Sequence, residues 1–244
     1  MVYRSVVLLG LLLTGIAGYT QDPQETEKKK KTWKPDIPGS ILVELGLNLK
    51  TGAVPTEFDK GLWGSRTINF YYQYPIRLFK SPISLNPGIG LSLERWKLVN
   101  DYSLPRQPLA DGTYPLIPAS AIVSGSINRS QLVNNYVEVP VDLRYDTNPE
   151  DIARSFSVAF GARFGVLYDA FTKIDYSENG ENKSIKDKQW HGMAPTRWAL
   201  YGRVGLGGFS VFAYFNMSPM WQTGKGPSGT DMTSATIGIS VNGF

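Results

Sequence analysis

From Ile41 onward the apolar residues recur at every second position, the repeat of a β-strand and not of a helix. Segment one sets Ile41, Val43, Leu45, Leu47 and Leu49 against Glu44, Gly46 and Asn48. Segment two sets Ile68, Phe70, Tyr72, Tyr74, Ile76 and Leu78 against Asn69, Tyr71, Gln73 and Arg77. Segment three sets Ile83, Leu85, Ile89, Leu91 and Leu93 against Ser84, Asn86, Gly90, Ser92 and Glu94. Segment four sets Val137, Val139, Val141, Leu143 and Tyr145 against Tyr136, Glu138, Asp142 and Arg144.

The second half repeats the device. Segment five runs Phe156 to Tyr168 with Arg163 and glycines on its polar face. Segment six sets Trp198, Leu200, Val204 and Leu206 against Arg197, Tyr201 and Arg203. Segments seven and eight carry Phe209, Val211, Phe215 and then Ile237, Ile239, Val241 on their apolar faces. Each segment has about the 9–11 residues that a tilted strand needs to cross a bilayer. Long connections follow segments one, three, five and seven, at about 49–65, 97–132, 169–195 and 218–232. Short ones follow two, four and six, at Lys80-Ser81, Asp146 to Arg154 and Gly207-Gly208. An even number of strands with connections sorted by parity predicts an all-β fold. It is an eight-stranded antiparallel up-and-down transmembrane β-barrel with long extracellular loops and short periplasmic turns.

A soluble barrel also alternates, but it turns a face rich in Lys and Glu to water. None of the 14 lysines of this chain lies in the middle of a segment. A lipid-facing lysine at mid-membrane costs about 2–4 kcal/mol, so lipid on the apolar face explains the absence. The polar face then fills a narrow lumen. Its charges form two matched sets, Glu44, Glu94, Glu138 and Asp142 against Arg77, Arg144, Arg163 and Arg203. In an eight-stranded barrel such charges must pair, so a plugged core is expected rather than an open pore. An aromatic belt at the two lipid boundaries is expected from Trp63, Trp96, Trp198, Trp221, Tyr72, Tyr145 and Tyr168, with Trp190, Tyr74 and Phe209. Pro75, Pro87 and Pro140 cannot donate to a ladder, which predicts bulges or irregular pairing near the short-turn rim.

Ahead of the strands, residues 1–20 have the basic, apolar and small-residue layout of a signal peptide, with Arg4, the run Val6 to Ile16, and Ala17-Gly18. Residues 21–38 read as a lysine- and proline-rich periplasmic linker holding Trp33, and 39–244 as the barrel.

Several short stretches resemble the outer-membrane β-barrel proteins of the Bacteroidetes, the broad family that includes PorT-like proteins. They are Lys34-Pro35-Asp36-Ile37-Pro38-Gly39, Tyr72-Gln73-Tyr74-Pro75-Ile76-Arg77, Asn86-Pro87-Gly88-Ile89-Gly90 and Tyr136-Val137-Glu138-Val139-Pro140. Asn148-Pro149-Glu150-Asp151, Gly224-Lys225-Gly226-Pro227 and Asn242-Gly243-Phe244 complete the set. The resemblance implies a barrel of about eight strands in the outer membrane of a Gram-negative bacterium, with both termini periplasmic. It implies no reaction. Phe244 resembles the terminal aromatic read by the barrel-assembly machinery, although Ile237, Ile239 and Val241 have the opposite parity. Either Gly243 shifts the register or recognition differs.

The composition removes much other chemistry. There is no cysteine and one histidine, and the net charge of +4 is too small to indicate nucleic acid. His191, preceded by Ser184 and Asp187, falls in what reads as a solvated loop tip, so no catalytic site is expected. Asp175, Glu178 and Glu181 have no calcium-loop spacing, and the glycine clusters lack the strand–loop–helix setting of a phosphate loop; no metal or cofactor is expected. The expected role is a small scaffold that meets outer-membrane lipids and lipopolysaccharide and uses its long loops, or its lipid-facing wall, against other outer-membrane proteins. The PorT-like resemblance narrows this to an accessory subunit of a secretion or assembly complex. A narrow porin and a lipid-modifying enzyme are the alternatives.

Overall fold

The computed structural model describes residues 39–243 apart from 56, 62, 80, 100, 152, 153, 228 and 229. The signal peptide, the linker with Trp33, and Phe244 lie outside the described residues. Eight strands build the wall. They are β1 (Ser40–Gly52), β2 (Arg66–Gln73), β3 (Ile83–Leu98), β4 (Ser126–Asp146), β5 (Phe156–Glu178), β6 (Thr196–Leu206), β7 (Phe209–Asn216) and β8 (Met232–Asn242). Each pairs antiparallel with the next, and β8 returns to pair with β1 from Leu42↔Asn242 to Gly52↔Met232. Closure removes every sheet edge within the barrel wall.

The closure is staggered. A row that leaves β5 at Phe160 passes Gly202, Ala213, Ile237, Leu47, Arg66, Arg95 and Val133. It regains β5 at Phe171, well along the strand from its start. This shear is what tilts the strands against the barrel axis.

Polarity is inverted relative to a soluble core. Phe160 is 64% exposed, and Ile41, Leu45, Val139, Phe164 and Ile239 are exposed with it, while Glu44 is 0% and Arg163 3% exposed. The alternation that predicted two faces is thus realised with the apolar face outward. Tyr72, Tyr74, Tyr145, Tyr168, Trp198 and Phe209 are outward and exposed, and Trp63 and Trp190 are exposed in the loops.

Two strands run further than the apolar pattern indicates. β4 and β5 stay paired out to Ser126↔Ser177, and the strand Glu181–Asp187 folds back onto β5. Segments expected as loop, the ends of 97–132 and 169–195, are therefore sheet. Beyond the lipid no apolar outer face is required, so the strand signal there is carried by polar pairs such as Arg129↔Asp175. A register shift lies at the crossover, where Asn135↔Asp169 and Tyr136↔Leu167 leave Tyr168 as an extra residue.

The prolines interrupt the ladders without shifting them. β2 stops before Tyr74-Pro75 and resumes as Ile76–Arg77 in the same register against β3. The β3–β4 ladder omits Gly88 and Ile89 and continues in register. All the gaps fall in the strand halves nearest the short turns; they are irregular pairing and not bulges.

Glycines on the inward face make room for large neighbours. A Cβ on Gly90 would lie 2.0 Å from the Phe70 carbonyl oxygen and 2.6 Å from the Tyr71 ring. The unboiled protein is therefore expected to run faster than the boiled protein on a denaturing gel, as a closed barrel does. Gly90→Val is expected to lose the fast form. A fast form retained by the variant would contradict the close packing at this row.

Candidate functional site: a sealed polar lumen beneath a loop cap

The lumen is built from the inward positions of all eight strands, and its charges are stacked in levels. At the level nearest the long loops, Arg197 of β6 bridges two carboxylates. It pairs with Glu94 of β3 and, at 2.7 Å, with Glu138 of β4, and it donates to Ser92 at 2.9 Å. Its guanidinium lies 3.6 Å over the Tyr136 ring. The second oxygen of Glu94 accepts the Trp96 indole N–H at 2.5 Å.

In the middle, Arg163 of β5 pairs with Glu44 of β1 at 2.8 Å and sits over the rings of Tyr71, Tyr201 and Tyr214. Asn69 donates to the other Glu44 oxygen at 2.8 Å, and the Tyr71 hydroxyl donates to Glu138, linking this level to the one above. Toward the short turns, Asp142 accepts from Arg203 at 2.6 Å, Tyr201 at 2.6 Å, Asn86 at 2.7 Å and Gln73 at 3.0 Å. At that end a vestibule of about 190 Å³ is lined by Gln73, Asn86, Arg144 and Asp146, the last two paired at 2.9 Å.

Each carboxylate is bonded by guanidinium, phenol, indole or amide donors, as burial of a charge demands. Arginine fits because it stays protonated and presents several donors at fixed angles. With Glu44, Glu94, Glu138 and Asp142 facing three buried arginines, the tyrosine hydroxyls and amides complete the coordination. Such a lumen holds its charges against one another, while Asn69 Oδ1, the Asn134 amide and Ser240 Oγ are buried without a hydrogen-bond partner.

Above Arg197 the filling turns apolar. Phe58 from the β1–β2 connection packs edge-on against Trp96 at 5.6 Å and against Trp221 of the β7–β8 connection at 6.0 Å. Leu104, Leu132, Leu167, Met193 and Met232 join them. About 10 Å³ of open space lies between this plug and Arg197. Three of the four long connections are also hydrogen-bonded to one another. Tyr114 N–H donates to Lys225 at 3.0 Å, Gln222 N–H to Gly192 at 2.9 Å, and Gln189 to Arg106 at 2.5 Å.

Several expectations are corrected. Arg77 is not in the lumen; past the Pro75 interruption it is exposed, and its guanidinium donates to the Pro149 carbonyl. Arg144 is inward but pairs with Asp146 at the rim rather than with the central acids. Trp96 and Trp221, 0% and 2% exposed, belong to the plug and not to a lipid-facing belt. His191 is not in a solvated tip; it is 1% exposed, against Tyr114 at 5.7 Å and Asp187 at 3.6 Å. Arg197 is the residue missed. Its parity with Tyr201 and Arg203 was the available signal.

The model of the outer membrane protein beta-barrel domain family matches residues 26–219. The chain belongs to that family, and with it among the outer-membrane barrels of Gram-negative envelopes. Among solved structures it is similar to Ail, the attachment invasion locus protein of Yersinia pestis. The identity is 12% over 84% of this chain and 97% of that one, with a TM-score of 0.34. It is also similar to Neisserial surface protein A, at 9% identity over 84% and 96% of the two chains, with a TM-score of 0.37. No curated protein matches it.

Removing Arg163 strands the Glu44 carboxylate. Arg163→Met is expected to lower stability by about 3–5 kcal/mol, read as the urea midpoint of the fast gel form in lipid vesicles. Adding Glu44→Gln is expected to recover part of the loss; no recovery would show that the pair is not coupled. A second expectation concerns the cap. Burial holds the His191 imidazole below its ordinary value, against the upward pull of Asp187. The unfolded cap then takes up the proton first, so its stability falls as pH drops below about 6.5. The imidazole NMR signals should titrate below that value, and a midpoint at or above it would refute the buried placement.

Proposed function

We propose that this member of the outer-membrane barrel family is a closed membrane scaffold that presents its loop cap to partner proteins. It works as an accessory subunit of an outer-membrane secretion or assembly complex and catalyses no reaction. The observation that carries the reading is the pairing of a filled lumen with long loops knitted into one body. The Arg–carboxylate levels and the Phe58–Trp96–Trp221 plug leave the interior no evident work except holding the wall and cap in place. A long connection fixed on a rigid barrel suits recognition. Between the β3–β4 connection and the outlying hairpin lies a groove of about 310 Å³, bordered by Leu104, Arg106, Ile122 and Lys188.

In this reading the long loops are extracellular and both termini periplasmic. The narrower kinship with PorT-like proteins of the Bacteroidetes, and insertion by the barrel-assembly machinery through Phe244, belong to the same proposal.

Extracted from its native membrane in mild detergent, the protein is expected to migrate as a complex clearly larger than one barrel. Exchange of the cap residues Arg106 and Lys188 for glutamate should weaken the complex while the fast gel form persists. A lone barrel with lipase or deacylase activity, or one giving steady large openings in a planar bilayer, would overturn the reading.

A further inference from the structure

We propose that the outer wall carries, at the long-loop rim of β1–β3, a binding site for a phosphorylated glycolipid of the outer leaflet. The first observation is a pair of like charges where the wall leaves the hydrocarbon. Arg66 on β2 stands directly opposite Arg95 on β3, and both are exposed on the outward face. Lys97 lies two residues further along the same face. Side chains directly opposite on neighbouring strands have Cβ atoms about 4.5–5.5 Å apart, and like charges there repel.

Inside the lumen the chain neutralises such groups. Each buried lumen arginine pairs with a carboxylate, and on the adjoining outcrop Asp175 takes both Arg129 and Lys173. Among the described residues, Arg66, Arg95 and Lys97 have no ion-pair or side-chain hydrogen-bond partner within the chain. Three unneutralised cations on one outward face call for an external anion.

The second observation fixes the depth and the rest of the ligand. The apolar faces of β2 and β3 reach up to Ile68 and Leu93, one outward position below the two arginines. That is the level of lipid headgroups and not of open water. Directly below lies a groove of about 560 Å³ in the lipid-facing wall, lined by Leu45, Leu47, Ile68 and Ile237. Arg66 and Trp63, the latter 81% exposed, also border it. An acyl chain fits the groove while its headgroup reaches the cations. Lys97 is set in place by its stem, which crosses Gly64 so closely that a Cβ there would lie 2.4 Å from its Cδ.

The arginine fork matches phosphate oxygens in pairs. Three cations over two rows of the sheet suit a multiply phosphorylated headgroup better than a single phosphodiester. The choice of leaflet rests on the reading that the long loops face outward. Binding in detergent does not depend on orientation, so the two ideas fail separately; protease access to the loops on whole cells tests the orientation.

The test is native mass spectrometry of the full chain in detergent, titrated with diphosphoryl lipid A, phosphatidylglycerol or phosphatidylethanolamine. Lipid A is expected to bind about tenfold more tightly than either phospholipid. The binding should weaken between about 50 and about 500 mM salt, since these charges are exposed. Arg66→Gln with Arg95→Gln is expected to lose about tenfold in lipid A affinity. Arg154→Gln, an exposed arginine on the β4–β5 turn, should retain it. Equal binding by the double variant, equal binding of phosphatidylglycerol, or displacement by millimolar inorganic phosphate alone would each overturn the assignment. If the double variant fails to give the fast gel form, lipid selectivity and salt dependence of the unaltered protein decide the matter.

Discussion

In a bilayer an unpaired peptide N–H or C=O has no water to turn to and costs several kcal/mol. The closing ladder between β1 and β8 is the response to that constraint, and much else in the molecule follows from it. A closed ladder fixes parity, because successive residues must point to opposite sides of one continuous wall. Parity puts Leu45, Phe70, Leu91 and Phe164 into lipid and leaves their neighbours facing a lumen that eight strands make only wide enough for side chains. Polar side chains in so small a space must find partners in one another. Glu44 with Arg163, Glu94 and Glu138 with Arg197, and Asp142 with Arg203 are those partners. Backbone pairing thus dictates the closure, and closure imposes the charge network.

The same strands change character where they leave the membrane band. On β5 the outward sequence passes from Phe164, Val166 and Tyr168 to Asp169, Lys173 and Asp175. The inward sequence passes from Arg163 through Leu167 and Ala170 to Ile174. The exchange occurs at Tyr168, where the extra residue in the ladder sits. Below that point the solvent is hydrocarbon and the core is polar; above it the core is that of a soluble protein. This is why Trp96 and Trp221 can be buried inside while Trp198 is exposed to lipid.

What could be read in the linear sequence follows the same division. The period-two pattern, the loop parity and the exclusion of lysine all arise from the hydrocarbon band, where the rule is strict, and there the strands and faces were legible. Arg77 was misplaced because, although it keeps the register opposite inward-facing Ser84, it lies past Tyr74-Pro75 at the short-turn rim, where its side chain is exposed and bonds the Pro149 carbonyl; alternation alone does not register where the lumen ends. Trp96 shares the parity of Ser92 and Glu94, so parity argued for the inside. A composition rule about tryptophan at strand ends argued for the boundary, and it gave way because β3 continues past the lipid. His191 and Trp221 are buried by contacts between loops distant in sequence, such as Gln222 with Gly192, which have no periodic signature. Arg197 was legible from its place beside Tyr201 and Arg203 and needed only consistent use of parity.

On the proposed reading, the filled lumen directs the protein's activity to the outside of the barrel. Movement through the centre would have to part Arg163 from Glu44 and Arg197 from two carboxylates at once, and each separation strands a buried charge. It would also have to displace the three-ring plug, which is held from four connections at once. The interior therefore behaves as a brace. It keeps the positions of the strand ends fixed, and with them the loops above and the outward side chains of the upper rim. Rigidity of that kind matters most for surfaces that recognise something, since a preorganised surface loses less entropy on binding. In the proposed function the surfaces that act are the loop cap and the stretch of wall where Arg66 stands opposite Arg95.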